Sequence, residues 1–208
     1  MNTKERNAHW ENIYQNKALT EVSWYEPKPE TSLKFIESLA PDRKSKIIDV
    51  GGGDSLLVDH LLEKGYTNIT VLDISEKAIE RAKSRLGANA NKINWIVADA
   101  STYIPSETFD LWHDRAAFHF LIEENEIHHY LKSVSQHLSP SGTFVLGTFS
   151  DEGPNKCSGL NIQQYSENHM TELLGNYFQK IRCEKTNHHT PFNTIQNFIF
   201  CSFKSKPN

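Results

Sequence analysis

The sequence predicts an α/β domain: a seven-stranded, mostly parallel, doubly wound sheet with helices on both faces, an antiparallel C-terminal strand and a helical N-terminal extension. Three observations carry this expectation. From Lys46 onward, short β-rich runs alternate with segments of helical periodicity across short connections, which is the pattern of a parallel sheet covered on both faces. The first strand, KIIDV, runs straight into a glycine turn, Gly51-Gly52-Gly53. Beyond residue 150 the alternation gives way to two strands with a short link, which pair antiparallel. The 208 residues show no repeat and no interdomain linker, so one domain is expected. It divides into an N-terminal cap (1–44), a ligand-binding core (45–150) and a substrate-side loop with the antiparallel end of the sheet (151–208).

Each element has its own signal. Trp10, Ile13 and Tyr14 recur at helical spacing, and Pro27 and Pro29 break that run. Thr31 or Ser32 is placed to cap a second helix with Leu33, Ile36 and Leu39 as its apolar stripe. Residues 40–44 are a loop and 46–50 the first strand. A helix over 55–65 carries Leu57, Leu61 and Leu62 on one side and stops at Gly65. Residues 68–75 form the second strand. The helix over 75–87 takes Ser75 as its cap and Gly87 as its terminator, with Ile79, Ala82 and Leu86 inward. Strands follow at 93–100 and 109–114, then a helix at 124–138, a turn at 139–142 and a strand at 142–149. After a long loop (151–161) come a helix at 166–176 and strands at 177–187 and 195–204.

Composition narrows the function. The net charge is −4 and no run of Lys and Arg is long enough to track a phosphate backbone, which disfavours nucleic acid as the main partner. Three cysteines, an odd count without a CxxC pair, argue against both a disulfide scaffold and a zinc knuckle. No grouping of histidines and carboxylates has metal-site spacing, so no metal is expected. No segment approaches about 18 consecutive apolar residues, and the polar N-terminus lacks an apolar signal core. A soluble cytoplasmic protein that uses no membrane is the expectation.

The glycine turn is the first candidate site, because open α/β sheets bind ligands beyond the carboxyl ends of their strands. The dinucleotide pattern G-x-G-x-x-G fails here: its third glycine falls at Leu56. A pyrophosphate also wants backbone N–H groups at a helix N-terminus, whereas a loop flanked by Asp49 and Asp54 suits a cationic ligand. Asp73 ends the second strand, where a carboxylate can accept two adjacent ribose hydroxyls. Asp99 ends the third strand, within reach of an adenine amine. A plain ligand-free turn accounts for the glycines alone, but three strand-end features in register are hard to obtain by accident.

Residues 46–149 resemble the core of class I S-adenosylmethionine-dependent methyltransferases. That family's loop, an acidic residue followed by G-x-G-x-G, reads here Asp49-Val50-Gly51-Gly52-Gly53-Asp54-Ser55, with Ser55 in the third glycine's place. The resemblance implies S-adenosyl-L-methionine as cofactor and S-adenosyl-L-homocysteine as product. By position it puts Gly51, Gly53 and Ser55 beside the methionine part, Asp73 with Ile74 at the ribose, and Asp99 with Ala100 at the adenine. Asp49 would orient the loop or reach the ammonium through water. If the third position requires positive φ, Ser55 is strained there.

The segment HWENIYQNKALTEVSWYEPKP (9–29) resembles the start of a methyltransferase subgroup with the pattern W-x-x-x-Y … W-Y/F, in which it lies over the cofactor. Trp10, Tyr14, Trp24 and Tyr25 then form a lid, with Tyr14 or Trp24 in contact with the cofactor, since aromatic faces suit a sulfonium cation. The other reading of these aromatics is that they pack the extension onto the sheet.

The fourth strand ends in WHDRAAFHFL (112–121), toward which that family's transferred methyl points. His113 joins the cofactor set there, and Asp114, Arg115 and His119 are the catalytic candidates. Asp114-Arg115 resembles an acidic-basic pair of some protein lysine methyltransferases; a pair that merely fixes the loop is equally open. The Asn/Asp-Pro-Pro-aromatic sequence of many base N-methyltransferases is absent. Cys157 and the loops 151–166 and 187–193 can reach the same pocket.

The expected reaction is in-line methyl transfer to a small-molecule acceptor, a thiol, amine or similar. A thiol needs little help from a base, whereas an amine must shed a proton, to Asp114 or His119. A protein substrate, methylated on lysine, is the alternative. A non-catalytic module that binds an S-adenosyl ligand is a third reading, hinted at by Ser55.

Overall fold

A computed structural model describes residues 1–206. Pro207 and Asn208, the end of the expected C-terminal part, lie outside the described residues. In chain order the elements are α1 (Thr3–Asn16), α2 (Glu30–Leu39), β1 (Ile47–Val50), α3 (Leu57–Glu63), β2 (Ile69–Asp73), α4 (Glu76–Leu86), β3 (Ile93–Val97) and β4 (Phe109–Arg115). These are followed by α5 (Glu124–His137), β5 (Leu138–Phe149), the short β6 (Lys156–Cys157) and β7 (Leu160–Asn161), α6 (Glu167–Leu174), β8 (Phe178–His189) and β9 (Ile195–Ser205).

Seven strands form one sheet in the order β3-β2-β1-β4-β5-β9-β8. β1 pairs in parallel with both β2 and β4, and β9 runs antiparallel to both β5 and β8. The strand order reverses between β1 and β4, which opens a crevice at their carboxyl ends.

Alternation along the strands builds two cores. Ile48, Val50, Trp112 and Leu146 face α5 and α6, meeting Tyr130, Leu131 and Met170. Ile47, Leu111 and Val145 face the other way, against Phe35 and Ile36 of α2 and Leu61 of α3. Successive residues on a strand point to opposite faces, so runs such as IIDV read as continuously apolar because both faces are covered. The predicted sheet, with its single antiparallel strand at β9, is the observed one.

Four details differ from the sequence expectation. The second helix starts at Glu30 with Pro29 at its N-cap and no side-chain cap; Thr31 and Ser32 lie inside it, and Ser32 is used elsewhere. Residues 139–142 continue β5, because Leu138 pairs with Phe109 across a register shift. Such a shift is where a strand tolerates a proline like Pro140. The loop 151–161 contains the β6–β7 hairpin. Finally, Cys183 and Cys201 form a disulfide. The odd cysteine count argued against one, but β8 and β9 place these two residues directly opposite each other. Among the described residues Cys157 is the free cysteine, and it is buried.

Candidate active site

The turn after β1 needs its glycines for two different reasons. Gly51 and Gly53 have φ of +68° and +36°, backbone that side chains strain to adopt. A Cβ on Gly51 would come 2.7 Å from the Ala117 side chain, and one on Gly53 would come 2.5 Å from Asp73 Oδ2. Gly51 faces the crevice, whereas Gly53 is buried behind it and does not line the cavity. Ser55 is not among the positive-φ residues. Its Oγ accepts the Leu57 N–H at 3.1 Å, so the hydroxyl supports the entry to α3 and the feared strain is absent.

Four acidic residues gather at the strand ends, each in a different state. Asp49 Oδ1 lies 2.7 Å from His113 Nδ1, and His113 Nε2 lies 3.0 Å from Ser32 Oγ. All three residues are buried and line the cavity. β1 and β4 place Asp49 and His113 side by side in register, and Ser32 arrives from α2. Asp73 accepts the Ser75 N–H at 2.8 Å through Oδ1. Burial pushes its carboxyl up to about 7, helped by the charges of Asp49 and Glu11.

The other two acids are taken. Asp54 pairs with Arg81 at 2.7 Å and with Arg85, so its charge serves α4 rather than a cationic ligand. Asp99 Oδ1 accepts from Ser101 N–H, from Ser101 Oγ and from Arg6 Nη1, while Oδ2 accepts from Arg6 Nη1 at 2.7 Å. Burial alone would raise the Asp99 carboxyl, but Ser101 and Arg6 hold it below the usual range. With α1 docked, Oδ2 keeps the freer lone pair for an adenine amine.

α1 covers this end of the crevice. Arg6 also reaches Glu126 of α5 at 2.7 Å, and Asn7 Nδ2 donates to the Ile74 carbonyl at 2.6 Å. Only Arg6 and Tyr14 of this helix are buried, so α1 is fastened by polar contacts more than by an apolar face. Trp10, Tyr14 and Trp24 meet edge-on or tilted with centroids 5.7–6.3 Å apart, and Phe120 closes on Trp10 at 5.0 Å. These rings both pack the extension and line the cavity.

The fourth strand separates its candidates. Arg115 lines the cavity, donating to the Trp24 carbonyl at 3.2 Å and pairing with Glu26 at 3.2 Å. Asp114, its neighbour, points to the opposite face. There it accepts from Ala117 N–H, Phe118 N–H and the Tyr130 hydroxyl at 2.6 Å. Burial raises its carboxyl to about 6. The Asp114–Arg115 pair expected from the sequence is therefore absent, and Asp114 does not line the cavity. His119 is fully buried, stacked on Phe149 at 4.6 Å, with neither ring nitrogen hydrogen-bonded. Burial pushes its imidazole down to about 3, and it too stands outside the cavity wall. Among the described residues no cluster suited to a metal ion occurs.

The methyltransferase-domain family matches residues 47–142, from β1 into the early part of β5. The match places a methyltransferase domain at residues 47–142, the stretch that holds the glycine turn, Asp73 and Asp99. Malonyl-acyl-carrier-protein O-methyltransferase 1 of Ilyobacter polytropus is 26% identical over 76% of this chain and 61% of its own length. The eEF1A lysine and N-terminal methyltransferase of Mus musculus is 27% identical over 57% of this chain and 17% of its own length. The chain thus spans less than two thirds of these curated relatives. The N-methyltransferase NodS from Bradyrhizobium japonicum WM9, solved with S-adenosyl-L-homocysteine, superposes over 100% of both chains with a TM-score of 0.70 at 18% identity. That likeness concerns the fold.

Of the residues expected from the sequence, the fold brings Tyr14, Trp24, Asp49, Gly51, Ser55, Asp73, Ile74, Asp99, Ala100, His113 and Arg115 to one cavity. Gly53, Asp114 and His119 stand behind its walls. Sequence reading missed Arg6, Ser32, Glu26, Gln196, Phe149 and Phe198, which also line it. Phe149 and Phe198 were legible as neighbours once β5 and β9 were paired, since they face each other in register. Arg6 and Gln196 carry no local signal; an arginine in a polar helix and a glutamine at a strand start are ordinary.

Proposed function

We propose that the protein transfers the methyl group of S-adenosyl-L-methionine to a small-molecule acceptor. The observation that carries this reading is Asp73: a buried carboxylate at the end of β2, beside a glycine turn that closely approaches it, inside a cavity roofed by aromatic rings. The residues fit the cofactor. Gly51 lines the cavity with bare backbone, which lets a ligand approach closely, and Asp73 retains acceptor capacity for ribose hydroxyls. Asp49, held by His113, offers a carboxylate toward an ammonium, while Asp99 closes the adenine end. When bound, S-adenosyl-L-methionine supplies an already activated methyl on a sulfonium. The chain contributes position and enclosure: Trp10, Tyr14 and Trp24 exclude water and present faces that suit a cation.

The small-molecule reading rests on enclosure, since α1 and the 19–29 segment roof the cavity. A protein lysine substrate is the second reading, and the mouse relative, an eEF1A lysine and N-terminal methyltransferase, favours it. The Ilyobacter relative acts on malonyl-acyl-carrier protein by O-methylation, which favours an acceptor other than lysine. We place the reaction in the cytoplasm. Titration calorimetry with S-adenosyl-L-methionine, S-adenosyl-L-homocysteine and NAD is the test. Binding of both S-adenosyl ligands and not NAD is expected; absence of S-adenosyl binding sinks the proposal. A labelled-methyl assay on small molecules and on a whole-cell protein extract then separates the two acceptor classes.

A further inference from the structure

The cavity continues past the cofactor end to a second region above the carboxyl ends of β4 and β5, bounded by β9. Its walls are the rings of Trp24, Phe120, Phe149 and Phe198. Among these rings stand few polar atoms, and they share a character. Gln196 Oε1 is shielded from solvent, lines the cavity and has no hydrogen-bond partner. Glu26 is a carboxylate in the same wall. Arg115, the cation among the described residues of this region, is engaged by Glu26 and the Trp24 carbonyl and lies over the Phe198 ring at 5.0 Å. A buried carbonyl oxygen without a donor costs stability. Here the donor is the ligand's.

We infer that the acceptor is a primary or secondary amine with a flat apolar body, whose N–H is received by Gln196 Oε1. This rests on the methyltransferase reading above. A carboxylic acid brings no donor to Gln196 and meets Glu26 with like charge. A thiol is too weak a donor to satisfy a buried carbonyl. An alcohol must lose its proton as it attacks, and among the described residues of this region the carboxylate of Glu26 is already engaged by Arg115 and His188. Asp114 is spent on the far face of the sheet and His119 is walled off by rings. His188 is bound to the Ser23 carbonyl at 2.7 Å. Burial would raise the Glu26 carboxyl, but His188 and Arg115 bring it below the usual range. Burial lifts the Cys157 thiol to about 11. The amine enters as its free base, the ammonium proton having been given to water before binding; its nitrogen lone pair then forms the N–C bond while the C–S bond breaks, and the C–S pair stays on sulfur as S-adenosyl-L-homocysteine. The methylated nitrogen carries the positive charge and releases its proton to water after leaving.

The test titrates the protein saturated with S-adenosyl-L-homocysteine with three matched probes: 2-phenylethylamine, 2-phenylethanethiol and 3-phenylpropionic acid. The amine is expected to bind best and, with labelled S-adenosyl-L-methionine, to be the probe methylated. Gln196→Leu is expected to weaken amine binding at least tenfold. It should leave cofactor affinity and the melting temperature unchanged or higher, because no internal hydrogen bond is lost. Glu26→Gln frees Arg115 and is expected to shift preference toward the acid. Preference of the native protein for thiol or acid, failure of all three to bind, or undiminished amine binding by Gln196→Leu overturns the inference. If S-adenosyl-L-homocysteine itself does not bind, the methyltransferase reading falls instead.

Discussion

The two ends of the cavity are built on opposite terms. At the ends of β1, β2 and β3 the walls are charged, and most charges are already matched: Asp54 by Arg81 and Arg85, Asp99 by Arg6 and Ser101, Asp49 by His113. Asp73 alone is left short of partners, and burial raises its carboxyl accordingly. Beyond β4 and β5 the walls are aromatic, and one carbonyl oxygen, on Gln196, is left over. Both groups face the cavity, where a ligand can supply the hydrogen bonds they lack; His119, also unpaired, does not. The contrast teaches that polar density is a poor guide to a site here. What is left unspent points to the ligand.

The contrast can be broken hardest at Gly53. Gly53→Ala puts a side chain at positive φ and against Asp73 Oδ2. Strain and overpacking together cost about 2–4 kcal/mol. Because the collision displaces Asp73, affinity for S-adenosyl-L-homocysteine should fall on the order of 100-fold by calorimetry.

Asp73→Asn sharpens the comparison next. Losing charge-assisted bonds to the ribose should weaken cofactor binding roughly 10- to 100-fold, at about 1.5–3 kcal/mol. Its effect on the free protein has the opposite sign. The native Asp73 carboxyl sits at about 7, above its unfolded value of 3.8. Between those values the folded state holds more protons than the unfolded state, so stability falls as pH rises from about 4 to about 7. Asp73→Asn abolishes that loss. The variant should melt higher than the native protein near pH 8 and similarly below about pH 4. Cofactor affinity of the native protein should rise with pH through about 7, as the carboxylate forms.

Arg6→Ala attacks the matched end from its lid. Arg6 joins α1 to Asp99 and Glu126, and removing one partner of a buried pair leaves an uncompensated charge. α1 relieves this by lifting. Its amide protection and the residence time of S-adenosyl-L-homocysteine should each fall by ~10-fold, with little change in the melting of the sheet. Hydrogen exchange and stopped-flow release measure the two effects.

The smallest effect is expected at Ser55. Ser55→Gly removes the hydroxyl that receives Leu57 N–H but relieves no strain. Stability should change by only a few tenths of a kcal/mol, as for other cap-to-glycine changes, and cofactor affinity should stay within about twofold. A tightening of tenfold would show that the family's third glycine matters here after all.

Much of this molecule was legible in the sequence because the physics involved is local. IIDV, ITVLD and their neighbours are strands because apolar β-formers cover both faces. Ser75 caps α4 through the Ala78 N–H, and the glycine turn follows its strand directly. Hence Asp49, Gly51, Asp73 and Asp99 could be placed at strand ends and read together. What local chemistry does not contain is which charges meet across the chain. Asp99 and Arg6 are 93 positions apart, and Ser32, read as a cap, instead holds His113, 81 positions away. Asp114 and Arg115 are adjacent in sequence and face opposite ways, because a strand alternates its side chains. Cys183 and Cys201 bond because the hairpin register sets them opposite. The sequence by itself determined the elements, their order and the ligand-binding edge, since periodicity, caps and turns act within a few residues. Only the tertiary structure decided which carboxylates are spent, which face Asp114 takes and that Gln196 is left unpaired, since each depends on partners brought together by folding.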